Sequence, residues 1–238
     1  MRASARLGYN AAPADPAETP VPQPVPHLLE ARQLEASRDD RVLFTGLDFR
    51  LAPGTMLQVT GRNGVGKTTL LNLVAGLSRP AGGEMLWGGQ PVAQDYAGYL
   101  GSLSFLGHLG GLKLALTPLE NLHFLCRLRG LEVPAATLWA ALKKVGLYGY
   151  EEVAVGRLSA GQKRRAALAR LFVEGTPLWI LDEPFTAIDK GGVGELETWL
   201  GGHLATGGMI LLTTHHEFTP QFPLQRLDVA TFRPRRSA

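Results

Sequence analysis

Residues 61–69 read Gly-Arg-Asn-Gly-Val-Gly-Lys-Thr-Thr and match the phosphate-binding pattern G-x-x-x-x-G-K-[ST]. Glycines in such a loop let several backbone N–H groups face one anion, and the N-terminus of the following helix adds its positive end. Lys67 is placed to reach the β- and γ-phosphates of a nucleotide, and the Thr68 hydroxyl is placed to hold Mg²⁺. An ordinary Gly-rich turn is the alternative, but it gives no reason for a Lys-Thr pair opening the helix. The candidate nucleotide contacts are Gly61, Arg62, Asn63, Gly64, Val65, Gly66, Lys67, Thr68 and Thr69.

Two adjacent acids, Asp182 and Glu183, follow the continuous apolar run at 178–181. Such a run is typical of a strand buried on both faces of a parallel sheet, and ligands of open α/β sheets bind at the carboxyl edge. This placement puts Asp182 near Mg²⁺ and makes Glu183 the best candidate for the general base. His215 follows a second buried run, at 209–212, and can hydrogen-bond a γ-phosphate; a polar loop histidine is the alternative.

A third candidate is the stretch Leu-Ser-Ala-Gly-Gln at 158–162, which opens a helix that we predict to continue to Glu174. Ser159 and Gln162 have the spacing of a capping box, which by itself indicates only a stable helix N-terminus. An uncovered helix N-terminus with Ser and Gly can also bind an anion. From these residues alone both interpretations stay open.

Short strands and helices must position these candidates. The predicted strands are 28–34, 42–51, 84–87 and 103–106, with polar turns at 38–41 and 88–91. The predicted helices are 118–128, 134–145 and one from Asp189 to about 204, and the spacing of Thr117 to Glu120 predicts a capping box. Strands followed by a nucleotide-binding βα unit indicate an α/β fold.

The chain has 238 residues, of which 45% are hydrophobic and 19% charged, as is typical of a globular chain with a buried core. The net charge of +3 is too small to indicate nucleic-acid binding. Basic residues cluster at 163–165 and at Arg233, Arg235 and Arg236. We interpret them as a solvated helix face and a frayed tail; a tail near an anionic membrane surface is the alternative for the second cluster. The single cysteine, Cys126, excludes an intramolecular disulfide and a cysteine-cluster metal site, which fits the cytoplasm.

Residues 1–27 hold six prolines between Pro13 and Pro26 and no apolar core of a signal peptide, so we predict that they are disordered. The most hydrophobic window, 99–116, is interrupted by glycines, His108 and Lys113, which argues against a membrane span. We therefore expect any membrane contact to be made through a partner.

In the order of its motifs, the chain resembles ABC-type ATPase subunits over nearly everything after residue 27. These motifs are Walker A at 61–69, the signature at 158–162, Walker B with its glutamate at 178–183, the D-loop Asp189 and the switch histidine His215. The resemblance implies a P-loop NTPase fold in a single domain, 28–238, with an antiparallel β subdomain and a helical subdomain at about 107–165.

The same resemblance implies ATP and Mg²⁺ as cofactors and a pair of cassettes. Two ATP molecules would lie between the Walker A loop of one copy and Ser159, Gly161 and Gln162 of the other. It also implies a peripheral subunit beneath an integral membrane permease, on the cytoplasmic face of the bacterial inner membrane. The apolar, Gly-rich stretch 98–116, with Leu109 and Leu112, is the expected docking surface, although its leucines can equally fill the core.

Four stretches are similar to one branch of this family, the ATP-binding subunits of the bacterial haem exporter of cytochrome c maturation. They are residues 28–32, 76–80, 120–124 and 178–189. This similarity implies an ATP hydrolase that powers haem export or the release of a haem chaperone. No residue pattern by itself indicates haem.

The chain departs from the family pattern at two positions. Leu109 stands where the family usually has a glutamine that reaches Mg²⁺ and the attacking water, and leucine can do neither. Members of the family usually have an aromatic residue in the first β-hairpin that stacks on adenine, and the nearest position in this chain is Arg38. A guanidinium can lie flat on a purine, and such a contact stabilises the complex by about 0.5 to 2 kcal/mol. Arg38 as part of a polar turn is the alternative.

Two other functions compete with the transporter ATPase. One is a soluble single-cassette ABC ATPase in an assembly process such as iron–sulfur cluster biogenesis, which differs in having soluble partners. The other is a nucleotide-binding regulator that does not hydrolyse, which Glu183 and His215 together disfavour.

Overall fold

The structure is a computed structural model that describes residues 28–39, 41–108, 110–218 and 222–234. The strands are β1 Leu29–Arg38, β2 Arg41–Leu51, β3 Met56–Thr60, β4 Gly82–Trp87, β5 Gln90–Pro91, β6 Leu103–Leu106, β7 Leu178–Asp182, β8 Met209–Thr213 and β9 Leu224–Asp228. The helices are α1 Lys67–Val74, α2 Tyr96–Gly101, α3 Pro118–Leu128, α4 Ala135–Lys144, α5 Ala160–Leu168, α6 Leu171–Glu174 and α7 Lys190–Ala205. The predicted disorder of residues 1–27 lies outside the described residues.

The central sheet is parallel, with the strand order β6-β7-β8-β3-β9. Its middle strands are buried on both faces, so alternate residues enter two different cores. In β7, Ile180 packs in the core shared with α1 and the second sheet, whereas Leu181 packs in the core shared with α7 and the helical region. Two-sided burial explains the continuous apolar runs in the sequence.

A second sheet is antiparallel, with the order β2-β1-β4-β5. β1 is irregular beside Gln33, whose φ is +51°. Opposite this point Gly83 has a φ of +79°, and a Cβ there would lie 2.2 Å from the Gln33 carbonyl oxygen. Only glycine allows this approach of the two strands.

The helical region between β6 and β7 contains α3, α4 and α5. The predicted capping box at the start of α3 is confirmed, because Glu120 N–H donates to Thr117 and the Glu120 carboxylate accepts from Thr117 N–H. The single helix predicted to run to Glu174 is wrong. It breaks after Leu168 because the Phe172 amide bonds three residues back, to Ala169.

Three more elements differ from the sequence prediction. The predicted turn at 88–91 contains the short strand β5, and α2 and β9 had no prediction. α2 contains two glycines and is held by tertiary contacts: buried Tyr99 donates its hydroxyl to the Val74 carbonyl. β9 is an edge strand, and among the strands of the described residues it pairs only with β3. Within the described ranges, no helix has the length and apolar character needed to span a bilayer.

Candidate functional site

The loop 61–66 leads directly from the buried strand β3 into α1. Gly66 precedes α1 with a φ of +113°, and no side chain of the described residues caps this N-terminus by a hydrogen bond. The first turn also holds no acidic residue, so α1 itself places no carboxylate at the free backbone N–H groups of its N-terminus. Lys67 folds over the loop, where its Nζ donates to the Gly61 carbonyl at 2.8 Å. This arrangement is a ready anion site.

Thr68, Asp182 and Thr213 meet at the carboxyl edge of the sheet. Thr68 Oγ1 donates to Asp182 Oδ2 at 3.3 Å, and Thr213 Oγ1 donates to the other carboxylate oxygen. Asp182 is buried, with 5% of its surface exposed. Two hard oxygen donors, a hydroxyl and a carboxylate, therefore face one point beside the loop, as a Mg²⁺ site requires.

Glu183 follows in a left-handed backbone conformation, with a φ of +49°. Its amide donates to the Thr213 carbonyl at 3.1 Å and to Thr213 Oγ1 at 3.0 Å. His215 Nε2 lies 3.7 Å from Glu183 Oε1, and the imidazole is largely exposed. The structure thus brings the predicted base and the predicted phosphate-sensing histidine to the same edge.

Residues from both sheets and from the loop line one open cleft of about 810 Å³. Its lining residues are Arg38, Asp39, Arg41, Leu43, Asn63, Gly64, Gly66, Lys67, Thr68, Thr69, His108, Asp182, Glu183, Thr186 and His215. Arg38 lies at the rim, 76% exposed, and is 3.5 Å from Asp39. Arg41 and Leu43 were not among the predicted contacts. The sequence pattern of β2 predicts a strand, but it does not indicate that the start of this strand faces the phosphate loop. Leu109 lies outside the described residues.

The signature residues are not among those that line this cleft. The predicted capping box is confirmed: Ser159 Oγ accepts from Gln162 N–H at 3.2 Å, and Gln162 Oε1 accepts from Ser159 N–H. Gly161 is packed tightly, since a Cβ there would lie 2.8 Å from the Ala187 carbonyl oxygen. Asp189 caps α7 by accepting from Gly192 N–H.

The prediction of a solvated basic face at 163–165 is wrong for Arg164. This side chain is buried, with 7% of the residue exposed, because it turns under the end of β7. Its guanidinium donates to the carbonyls of Asp182 at 2.8 Å and Glu183 at 2.7 Å. Burial lowers the pKa of Arg164, and the charges of Asp182 and Glu183 oppose that shift. Nothing in the charge pattern of the sequence marked this arginine, since three basic residues in a row most often face solvent.

A smaller groove of about 270 Å³ opens beside the cleft and is called the lateral groove below. It is lined by His108, Gly110, Leu112, Leu114, Val155, Ala160, Lys163, Arg164, Ala167, Thr186 and Ala187. Leu114 is 60% exposed. The groove therefore joins part of the stretch 98–116 to the signature helix α5.

This fold and cleft define an ATP-binding, ATP-hydrolysing subunit of the ABC transporter class, and the family model described as ABC transporter matches residues 44–186. A solved structure of a putative ABC transporter ATP-binding protein from Pyrococcus furiosus has the same fold. Its TM-score is 0.76 at 23% identity, over 87% of this chain and all of that one. A second solved structure, an ATP-binding subunit of an ABC transporter, has a TM-score of 0.72 at 26% identity over 79% of each chain.

Similar proteins of known name indicate a particular family within this class. The cytochrome c biogenesis ATP-binding export protein CcmA of Shigella flexneri is 52% identical over 79% of this chain and 89% of its own length. The protein of the same name from Pseudomonas savastanoi pv. phaseolicola is 50% identical over 81% of this chain and 90% of its own length. The chain belongs to this family of cytochrome c biogenesis ATP-binding export proteins, as the sequence resemblance predicted.

Proposed function

We propose that the chain hydrolyses Mg-ATP in the cleft to power a membrane permease in cytochrome c maturation, where it drives haem export or the release of a haem chaperone. The observation that carries the catalytic part is the meeting of Thr68, Asp182 and Glu183 beside the loop 61–69. The residues of the loop would cradle the phosphates, and Lys67 would exchange its carbonyl partners for phosphate oxygens.

The donor set fits Mg²⁺. Thr68 Oγ1 and Asp182 Oδ2 are 3.3 Å apart, and both are oxygens of the kind that Mg²⁺ binds while it keeps several waters. When bound, Mg²⁺ would neutralise charge on the β- and γ-phosphates. Thr213 would hold the second oxygen of Asp182, which keeps the carboxylate oriented toward the site.

Glu183 is the proposed general base. A water oxygen attacks the γ-phosphorus, its proton passes to a Glu183 carboxylate oxygen, and the bond to the β-phosphate oxygen breaks so that ADP leaves. His215, at 3.7 Å from Glu183, would contact the γ-phosphate from the other side. Their common location at the end of two adjacent strands supports these roles.

A second copy of the chain would complete the site. Ser159 and Ala160 are exposed at the start of α5, away from the cleft of their own molecule. Pairing of two copies would bring Ser159, Gly161 and Gln162 of one to the ATP of the other, where the positive end of α5 favours phosphate. Asp189 would lie at the same interface. Arg38 would stack on adenine at the rim of the cleft.

The partner would be an integral membrane permease that docks on the lateral groove from the cytoplasmic face of the inner membrane. The exposed apolar side chain of Leu114 beside Lys163 supports a protein contact there. The names of the relatives, export proteins of cytochrome c biogenesis, support a membrane process and do not favour the soluble assembly ATPase.

The test is co-purification of the Glu183→Gln chain from membranes of its own cells with Mg-ATP, with partners identified by mass spectrometry and haem by its absorption spectrum. We expect multi-spanning proteins together with a haem-binding component. A Lys67→Ala chain, which should not bind ATP tightly, is the matched control for ATP-dependent partners. A set of soluble partners only would contradict the proposal and move the function to an assembly process.

A further inference from the structure

The guanidinium of Arg164 makes four hydrogen bonds in the part of the chain that the structure describes, and all four go to main-chain carbonyl oxygens. Its partners are Asp182 at 2.8 Å, Glu183 at 2.7 Å, Pro184 at 3.2 Å and Gly107 at 3.2 Å. Three of these carbonyls belong to consecutive residues at the end of β7. The fork of an arginine suits this arrangement, because its five N–H donors point in fixed directions.

A buried cation is costly unless hydrogen bonds satisfy its donors. Arg164 is 7% exposed, so its position implies that the carbonyls of the turn 182–184 point inward at one charge. Carbonyl dipoles and the two nearby carboxylates, Asp182 and Glu183, compensate that charge. The turn and the arginine therefore stabilise each other.

The backbone of Glu183 has an unfavourable conformation that needs support from neighbouring groups. Its φ of +49° lies in the left-handed region, which is unfavourable for a residue with a side chain. Its amide is held from one side by Thr213, and its carbonyl is held from the other side by Arg164. With both ends of the residue fixed, the direction in which its carboxylate leaves the backbone is fixed as well.

We propose that Arg164 is a positioning residue for hydrolysis, which holds the turn 182–184 so that the Glu183 carboxylate faces the attacking water. The proposal rests on the proposed role of Glu183 as general base. Arg164 acts through the backbone and does not line the nucleotide cleft. Its bond to the Gly107 carbonyl ties the same turn to the loop that begins the lateral groove.

The experiment measures ATP turnover and Mg-ATP affinity of the full chain, purified with its membrane partners. Arg164→Met should lower kcat by about tenfold or more while KM stays within about threefold, because the lost contact orients the base and does not bind ATP. Arg164→Lys should retain part of the rate, since an ammonium keeps the charge but cannot span four carbonyls. Arg127→Met is the matched control, since Arg127 is exposed and pairs only with exposed Glu132 in the described chain; its rate should not change.

A double-mutant cycle with Glu183→Gln separates positioning from a general loss of structure. If Arg164 acts through the Glu183 carboxylate, Arg164→Met should change the residual single-turnover rate of the Glu183→Gln chain by less than about threefold. An equal loss in both backgrounds, or an unchanged kcat in Arg164→Met, would overturn the positioning role. If the Arg164→Met chain does not bind ATP, the Arg164→Lys chain tests the proposal instead. A lowered kcat at unchanged ATP affinity supports the positioning role, and an unchanged kcat contradicts it.

The two proposals fail in different ways. Unchanged turnover in Glu183→Gln itself would refute the general base, and the inference about Arg164 with it. A large loss in Glu183→Gln together with full activity in Arg164→Met would leave the base in place and refute only the inference.

Discussion

The hydroxyl of Thr68 donates to the carboxylate of Asp182 at 3.3 Å, although 114 residues separate them in the chain. Thr68 lies in the first turn of α1, which follows β3 through the loop 61–66, and Asp182 is the last residue of β7. β3 and β7 are both neighbours of β8 in the parallel sheet. Parallel strands end at one edge, so the two oxygens meet where a phosphate-bound cation would sit.

Removing the Thr68 hydroxyl should weaken the use of Mg²⁺. Thr68→Val keeps the shape of the side chain but loses one metal ligand, so we expect kcat/KM to fall by about tenfold or more and the Mg²⁺ concentration for half-maximal rate to rise. Thr68→Ser, which keeps the hydroxyl, should restore most of the rate. ATP turnover in a Mg²⁺ titration checks this, and equal titrations for both variants would argue against the ligand.

Glu183→Gln should abolish most hydrolysis without abolishing ATP binding. An amide cannot accept the proton of water, and the loss of a general base costs about 10²-fold or more in kcat. Binding of Mg-ATP should be retained because Lys67 and the loop 61–66 are untouched. Glu152→Gln removes an exposed carboxylate elsewhere and should leave turnover unchanged. Turnover close to that of the original chain would instead favour a nucleotide-binding regulator.

Gly161→Ala should destabilise the start of α5. The added Cβ would lie 2.8 Å from the Ala187 carbonyl oxygen, so the helix or the loop must shift, at a cost of about 1–3 kcal/mol. The shift would also move Ser159 and lower turnover. Gly202→Ala is the control, because a Cβ in that part of α7 meets nothing within 4 Å. Denaturant unfolding of both variants measures the difference, and equal stabilities would disprove the clash.

His203 should make folding stability depend on pH. Burial lowers the pKa of His203 below its usual value near 6.5, against hydrogen bonds to the Pro177 and Met209 backbone. The unfolded chain then binds the proton first, so this contribution is complete above about pH 6.5 and is lost as the pH falls toward the folded pKa. His203→Phe should keep the stacking on Trp179, whose ring centroid lies 3.8 Å away. We expect the melting temperature of the original chain to fall more steeply below about pH 6.5 than that of the variant. Parallel curves would exclude His203 as the cause.

Leu114→Asp should release the chain from membranes while ATP binding persists. Leu114 is 60% exposed in the lateral groove, so a carboxylate there disrupts an apolar contact at little cost to folding. Leu128→Asp is the matched control, since Leu128 is 67% exposed and lies outside the groove. Membrane fractionation and nucleotide binding of both variants test the docking site. Equal membrane retention would place the permease contact elsewhere.

Much of the fold could be predicted from the sequence, because the residue patterns that predict a strand or a helix start lie within short segments. The apolar run before Asp182 predicted a strand buried on both faces, and Thr117 with Glu120 predicted the start of α3. The elements that the sequence did not predict depend on distant partners. α2 is held by the contact of Tyr99 with Val74, and β9 by its pairing with β3.

The candidate site divides in the same way. Its phosphate loop, acids and histidine could be named from residue types and spacing, because each type has a chemical reason to stand beside a strand end. The sequence interpretation of Arg164 as solvated was wrong, since burial depends on which carbonyls happen to lie above α5.

By itself, the sequence determined the chemical groups and the class of protein, because a loop such as 61–69 and a run such as 178–183 encode their own local geometry. Only the tertiary structure decided the distances: Thr68 beside Asp182, His215 beside Glu183, and Arg164 under the turn that carries the base. Those contacts join residues far apart in the chain, and their geometry is set by strand order and by packing on both faces of the parallel sheet.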